Sequence, residues 1–276
     1  MDTPLNQVVI PTNLSELFTS WSRFPGAVLF AGGTNLIGKS GNNISDPSPV
    51  FLSLDKLSEL TNITRTEHYL EIGAMVKLNR LINLGKKVPE ILRTCLSGIA
   101  GTQIRNTATI GGNVCSASLW DLPVLFIALD AKYELRNAQN VRWVSAARFH
   151  SMNEKNILEK QELLTRIRLP LHQWDYAIYK KFIGEEYYNS HSIVFLAKIR
   201  KNILSEMKIY YKTGVILHNK GAEDILNGKY LLLKKKTVEE FIVNWSDFLN
   251  QKTNESDFSK NTIINSIKES IYNFCE

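Results

Sequence analysis

Two short segments carry glycine pairs beside hydroxyl and amide side chains: Gly32-Gly33-Thr34-Asn35 within "AVLFAGGTNL", and Thr109-Ile110-Gly111-Gly112-Asn113 within "IRNTATIGGN". Glycine lets a backbone approach a ligand closely and take a positive φ, so that successive N–H groups converge on an anion. A diphosphate is an extended dianion, and holding it without a metal takes many N–H donors in a concave, partly dry site. Two such loops together supply them. Each pair alone is also readable as a plain turn, because glycine is the default turn residue. Neither segment is G-x-G-x-x-G or G-x-x-x-x-G-K-[ST], so a Rossmann fingerprint and a P-loop are absent.

Other chemistries find little footing. There is no G-x-S-x-G elbow and no H-E-x-x-H, and His68, His150, His172, His191 and His218 are too dispersed to form a ligand set. Cys95, Cys115 and Cys275 stand far apart with no C-x-x-C pair, which argues against a disulfide framework and a protein-held zinc or iron–sulfur site. Buried, reduced thiols are expected.

With 276 residues, 44% hydrophobic and 22% charged, the chain is long enough for two domains with a sizeable core. Its net charge of +6 comes from scattered Lys and Arg; the densest run is Lys234-Lys235-Lys236, read as a solvated loop. No nucleic-acid partner is expected. The N-terminus lacks the basic start of a secretory signal and no apolar run approaches the roughly 18 residues of a membrane span, so a cytoplasmic protein without a membrane partner is expected.

The elements that must position the glycine segments follow from periodicity. Asn13 and Glu16 form a capping box before Leu14, Leu17, Phe18 and Trp21, which predicts an amphipathic helix ending near Pro25-Gly26. "AVLF" predicts a buried strand stopping at the first glycine pair, and "VFLSLDKL" a second strand; together they give a β-α-β unit. "HYLEIGAMVKL", "KYELRN" and "LLTRIRLPL" predict further strands, with helix formers over residues 78–99. Beyond Pro170, "DYAIYKKF", "SIVFLAKIR" and "EMKIYYK" read as strands or, for the middle one, a helix. Thr237 and Glu240 predict a capped helix through Phe241 and Trp245, and Ile263, Ile264, Ile267 and Ile271 another.

Taken whole, "AGGTNL", "QIRNTATIGGNV" and "DLPVLFIALDA" closely resemble the flavin-binding subunit of molybdenum hydroxylases, the family of xanthine dehydrogenase and carbon monoxide dehydrogenase. "PTNLSELFTSW", "LEIGAMVKL", "ELLTRIRLP" and "GAEDILNGK" resemble further segments of that family, and Asn35 stands where it commonly has aspartate.

The resemblance implies an α+β chain. Residues 1–170 would form a two-subdomain FAD-binding domain of the PCMH, or vanillyl-alcohol-oxidase-like, type. Residues 171–276 would form a smaller C-terminal domain of antiparallel sheet plus helices.

It further implies that FAD is bound by Leu29, Phe30, Ala31, Gly32, Gly33, Thr34, Asn35 and Leu36 and by Thr109, Ile110, Gly111, Gly112 and Asn113, largely through backbone N–H. Ile99 would pack against the cofactor, Asp121 would contact its adenosine part, and Leu164 and Lys180 would line the flavin site.

As partners it implies a molybdopterin-binding large subunit, which holds the molybdenum cofactor, and a small subunit with [2Fe-2S] clusters. Electrons would reach FAD from the latter and leave to NAD⁺ or another acceptor. No amino-acid nucleophile is required, because the redox chemistry belongs to the cofactor. The rival readings are a stand-alone flavin oxidase of the same fold and a cofactor-free assembly subunit.

Overall fold

The computed structural model describes residues 7–36, 50–116, 121–151, 157–182, 190–253 and 256–274; Cys275 lies outside them. Contacts divide the chain into two units, Met1–Leu171 and His172–Glu276.

In the first unit, strands β1 (Val8–Val9), β2 (Val28–Phe30) and β3 (Phe51–Ser53) form a parallel sheet in the order β1-β3-β2, with Val8 and Val28 both in register with Phe51. Helix α1 (Leu14–Arg23) connects β1 to β2. Asn13 caps it, its Oδ1 accepting from the Glu16 amide at 2.9 Å. The reciprocal bond lands one residue early, because Glu16 accepts from the Thr12 amide and hydroxyl at 2.7 and 2.9 Å. Leu14, Leu17, Phe18 and Trp21 bury one stripe of α1 against Leu52, Leu54, Leu57 and Leu60, with Leu29 and Ala31 at the edge of the same cluster. That packing fixes where β2 delivers its glycines.

The second sheet of this unit has the order β4-β5-β8-β6-β7 (Ile63–Arg65, Tyr69–Gly73, Leu163–Pro170, Lys132–Arg136 and Val141–Ser145), with every pair antiparallel. Between β5 and β6 run α2 (Leu78–Asn83), α3 (Glu90–Ser97), α4 (Thr102–Thr107), α5 (Ile110–Val114) and α6 (Asp121–Ala128). All eight residues of α6 are buried, as expected for a helix apolar on every side.

Helix α7 (Ala146–Phe149) follows β7 and ends at His150, whose ring meets Phe149 and Tyr133 edge-on at centroid distances of 5.0 and 5.7 Å. The Tyr133 hydroxyl lies 3.3 Å from His150 Nε2. Burial pushes this imidazole down from 6.5 to about 4. The unfolded chain therefore binds a proton near pH 6.5 that the folded chain refuses until about pH 4. Stability is expected to fall as pH drops through that interval, by roughly 3 kcal/mol in all. His150→Phe keeps the edge-on ring and removes the titration. Denaturant titrations between pH 7 and 4.5 should show a flatter slope in the variant.

The second unit holds the antiparallel sheet β12-β11-β10-β9, with β9 at Tyr176–Phe182, β10 at His191–Arg200, β11 at Ile203–Lys212 and β12 at Ile216–His218. "SIVFLAKIR" is thus a strand; it is buried on both faces, so its apolar run shows no alternation. Helix α8 (Lys220–Leu226) is capped by Asn219, and α9 (Lys235–Lys252) and α10 (Asp257–Ile271) follow. Phe241, Trp245 and Leu249 pack with Ile263, Ile264, Ile267 and Ile271 against Ile193, Phe195 and Ile209.

The expected cap at Thr237 and loop at Lys234-Lys235-Lys236 are both corrected. Helix α9 starts at Lys235, without a side-chain cap, and Thr237 lies in its first turn. The Leu233 amide donates to the Phe274 carbonyl at 2.6 Å, and that anchor places the helix start despite lysines where a helix disfavours them.

Candidate functional site

Strand β2 ends at Phe30; Ala31, Gly32 and Gly33 follow, and residues 34–36 begin a helical turn. Gly33 has a φ of +69°, the left-handed region that glycine enters without strain. Gly32 is small for another reason. A Cβ placed on it would stand 2.2 Å from the carbonyl oxygen of Thr107, so the first glycine segment lies directly on the chain leading into the second. Asn35 Nδ2 donates to Ser116 Oγ at 3.1 Å, tying the far ends of the two segments together.

The second segment is a helical turn rather than an open loop. Thr109 caps α5, its Oγ1 accepting from the Gly112 amide at 3.1 Å, while the Asn113 amide donates to the Thr109 carbonyl at 3.1 Å. The amides of Ile110 and Gly111 donate to the carbonyls of Val76 at 3.0 Å and Ala74 at 2.9 Å. Gly111 is buried, and a Cβ there would meet Ala74 Cβ at 2.7 Å and its oxygen at 2.8 Å.

All four amides from Ile110 to Asn113 are therefore committed within the protein, and the expectation of a second cradle of free N–H groups is corrected. The amides of Gly32, Gly33, Thr34 and Asn35, by contrast, donate to no acceptor among the described residues. They form one row of half-buried, unspent donors at the head of a helical turn, which suits an anion. The row rests on the chain at Thr107 and Ala108, just ahead of α5.

The remaining expected residues are distributed around this pair. Leu29 and Phe30 are the last residues of β2 and Leu36 closes the described turn, all half-buried. Ile99 is buried, and its carbonyl accepts from Arg105 Nη1 at 2.9 Å. Arg105 also donates to the carbonyls of Ser97 at 3.2 Å and Ala100, and to Thr102 Oγ1 at 3.1 Å, so it braces the turn before α4.

Asp121 heads α6 at 1% exposure; the next amide, Leu122, reaches Asn113 Oδ1 at 3.4 Å, which links Asp121 to the second segment. Leu164 sits inside β8 opposite Leu135, buried in the sheet. Lys180 belongs to the second unit, on β9, where its Nζ pairs with Glu269 at 2.6 Å.

Three residues of the arrangement escaped the sequence reading: Ala74, whose methyl and carbonyl receive Gly111; Ser116, which receives Asn35; and Lys77, whose Nζ donates to the Thr107 carbonyl at 3.1 Å. The first had a signal, since Gly73-Ala74 puts two small residues at the end of an apolar strand. Cys95 is buried, but Cys115 is exposed, contrary to the expectation of buried thiols. Among the described residues no group of three His, Cys, Asp or Glu side chains could hold a metal, and no helix is long and apolar enough to cross a membrane.

Residues 4–172 match the family described as the FAD binding domain in molybdopterin dehydrogenase. The chain belongs to this family. Members similar to it include a xanthine dehydrogenase FAD-binding subunit of Escherichia coli O157:H7, 34% identical over 150 residues, a match covering 53% of this chain and 51% of that one. A carbon monoxide dehydrogenase medium chain of Afipia carboxidovorans is 34% identical over 163 residues, 56% of each chain. Xanthine dehydrogenase 2 of Arabidopsis thaliana is 31% identical over 173 residues, which are 58% of this chain and 13% of the plant protein. The chain thus spans about half the length of the bacterial relatives it matches and a small part of the plant one.

A solved carbon monoxide dehydrogenase from Hydrogenophaga pseudoflava superimposes with a TM-score of 0.81 at 22% identity, covering 99% of this chain and 98% of that one. The expected α+β fold is borne out, and so is the family resemblance on which it rested.

Proposed function

We propose that this chain is the flavoprotein subunit of a molybdenum-hydroxylase-type oxidoreductase. It holds FAD, receives electrons from a [2Fe-2S] subunit and passes them to NAD⁺ or another acceptor. A third subunit carries the molybdenum cofactor at which substrate is oxidised. The observation that carries the reading is the row of unspent amides from Gly32 to Asn35, resting on the backbone at Thr107 and Ala108, in a chain of this family.

Main-chain N–H groups of Gly32, Gly33, Thr34 and Asn35 would hold the diphosphate, with Thr109, Gly112 and Asn113 closing the other side. Ile99, Asp121 and Leu164 would complete the site. Residues 1–170 would be the FAD-binding domain and residues 171–276 the C-terminal domain, in a cytoplasmic complex. When bound, FAD supplies the exchange of electrons; the protein supplies position, electrostatics and access.

Purified protein mixed with FAD and passed through a desalting column should retain about one flavin per chain, and acid denaturation should release it intact. Flavin that stays on the polypeptide would point to the covalent oxidase reading. Colourless protein, even when co-purified with iron- and molybdenum-containing partners, would overturn the assignment.

A further inference from the structure

We propose that the cleft between α1 and the β6–β7 turn is a binding site for a small anion with a carboxylate or phosphate head. The cleft has a volume of about 270 Å³, and none of its lining residues belongs to the glycine segments. By the volume a water molecule takes in the liquid, that is room for a ligand of roughly ten non-hydrogen atoms.

The lining is built from donors. On the helix side, Ser15, Thr19 and Ser22 recur at the spacing that places side chains on one face. On the turn side stand Arg136 and Asn137. Arg136 is half-buried, and among the described residues it has neither an acidic partner nor a hydrogen-bond acceptor. A guanidinium partly withdrawn from water gains most from a planar oxyanion that takes two of its N–H groups at once.

Asn137 has spent its oxygen, which accepts from the amides of Gln139 and Asn140 at 2.9 and 2.8 Å, so its NH₂ remains as a donor. Thr19 has spent its proton on the Ser15 carbonyl at 2.9 Å, which leaves the hydroxyls of Ser15 and Ser22 to donate. No Asp or Glu lines the cleft, so nothing in it repels an anion. Leu14 and Phe18 form the floor of the cleft but are buried in the core beneath it, so the polar donors are what a ligand meets.

The test is isothermal titration of the full chain, pre-saturated with FAD, using benzoate, phenyl phosphate, acetate and inorganic phosphate. Saturable binding is expected for the carboxylates or for the phosphates. The stronger of the two heads identifies the class. Arg136→Gln should weaken binding tenfold or more, and Arg136→Lys by less, with flavin content and the unliganded melting temperature of both variants unchanged. Equal affinities in wild type and Arg136→Gln, no saturable binding, or binding seen only before FAD is added would overturn the proposal. The last outcome would assign the anion to the glycine segments and leave the flavin reading intact.

Discussion

Alanine at Gly32 is expected to strip the protein of flavin and to lower its melting temperature. The new Cβ would stand 2.2 Å from Thr107 O and 2.9 Å from Thr107 C, and neither atom can swing away, because both are backbone. The two segments must part by an ångström or so, which costs about 3 kcal/mol, the upper end for an overpacked interior. Parting them also moves the row of amides from Gly32 to Asn35 off the backbone at Thr107 and Ala108.

Gly111→Ala should behave the same way, since its Cβ would meet the Ala74 methyl at 2.7 Å and carbonyl at 2.8 Å on a turn whose amide already bonds that carbonyl. Gly112→Ala is the control for stability alone, because Gly112 itself belongs to the proposed site. Its Cβ meets only the Thr109 hydroxyl, at 2.9 Å, so a weakened cap is offset by the gain of about 1 kcal/mol for alanine over glycine in a helix. Flavin-to-protein ratios after desalting, read beside melting temperatures without FAD, check all three. Full flavin occupancy in Gly32→Ala or Gly111→Ala would show that the close packing is not what holds the site.

These glycines show where sequence reading succeeds and where it stops. Poverty of bulk in "AGGTN" and "TIGGN" was visible, and so was its implication of close approach. What approaches was not. Gly32 and Gly111 are small for protein backbone at Thr107 and for Ala74, and only the chain pairing brings those partners together. Gly33 alone shows the positive φ that sequence reasoning invoked for the whole set.

Elements with strong periodicity were legible: the four apolar positions of α1 and the four isoleucines of α10 fall on buried stripes. α5 was not, because Ile110-Gly111-Gly112-Asn113 has one apolar side chain and glycines that disfavour helix; its turn exists through bonds to Ala74 and Val76. Thr237 failed for a related reason, a local capping signal overruled by a tertiary hydrogen bond at Leu233.

Arg142→Met should be the most destabilising change away from the glycine segments. Arg142 grips Glu162 with two bonds of 2.7 Å, from Nε and Nη2, and Nη2 also donates to the Ile157 carbonyl at 2.6 Å. The Glu162 side chain is 2% exposed. Burial pushes its carboxyl up, but the Arg142 hydrogen bonds and charge, with the Glu159 amide at 2.9 Å, outweigh burial and hold it below the ordinary value.

Removing the arginine leaves a buried carboxylate with one amide for company. Such losses cost about 3–5 kcal/mol, and because Arg142 is 32% exposed the lower end is expected here. The damage should propagate: Gln161, next to Glu162, donates to the Trp21 carbonyl at 2.7 Å and so ties this turn to α1, whose packing positions β2.

Since the folded carboxyl titrates below 4.5, the pair stabilises the wild type fully above that pH and loses its contribution as pH falls through the folded value. Arg142→Met should therefore show its full deficit at neutral pH, and the deficit should shrink in acid. The double variant Arg142→Met/Glu162→Met replaces both partners by apolar groups and should recover most of the loss. A double variant no more stable than Arg142→Met in denaturant titrations at neutral pH would show that the arginine acts through its bond to Ile157 rather than through Glu162.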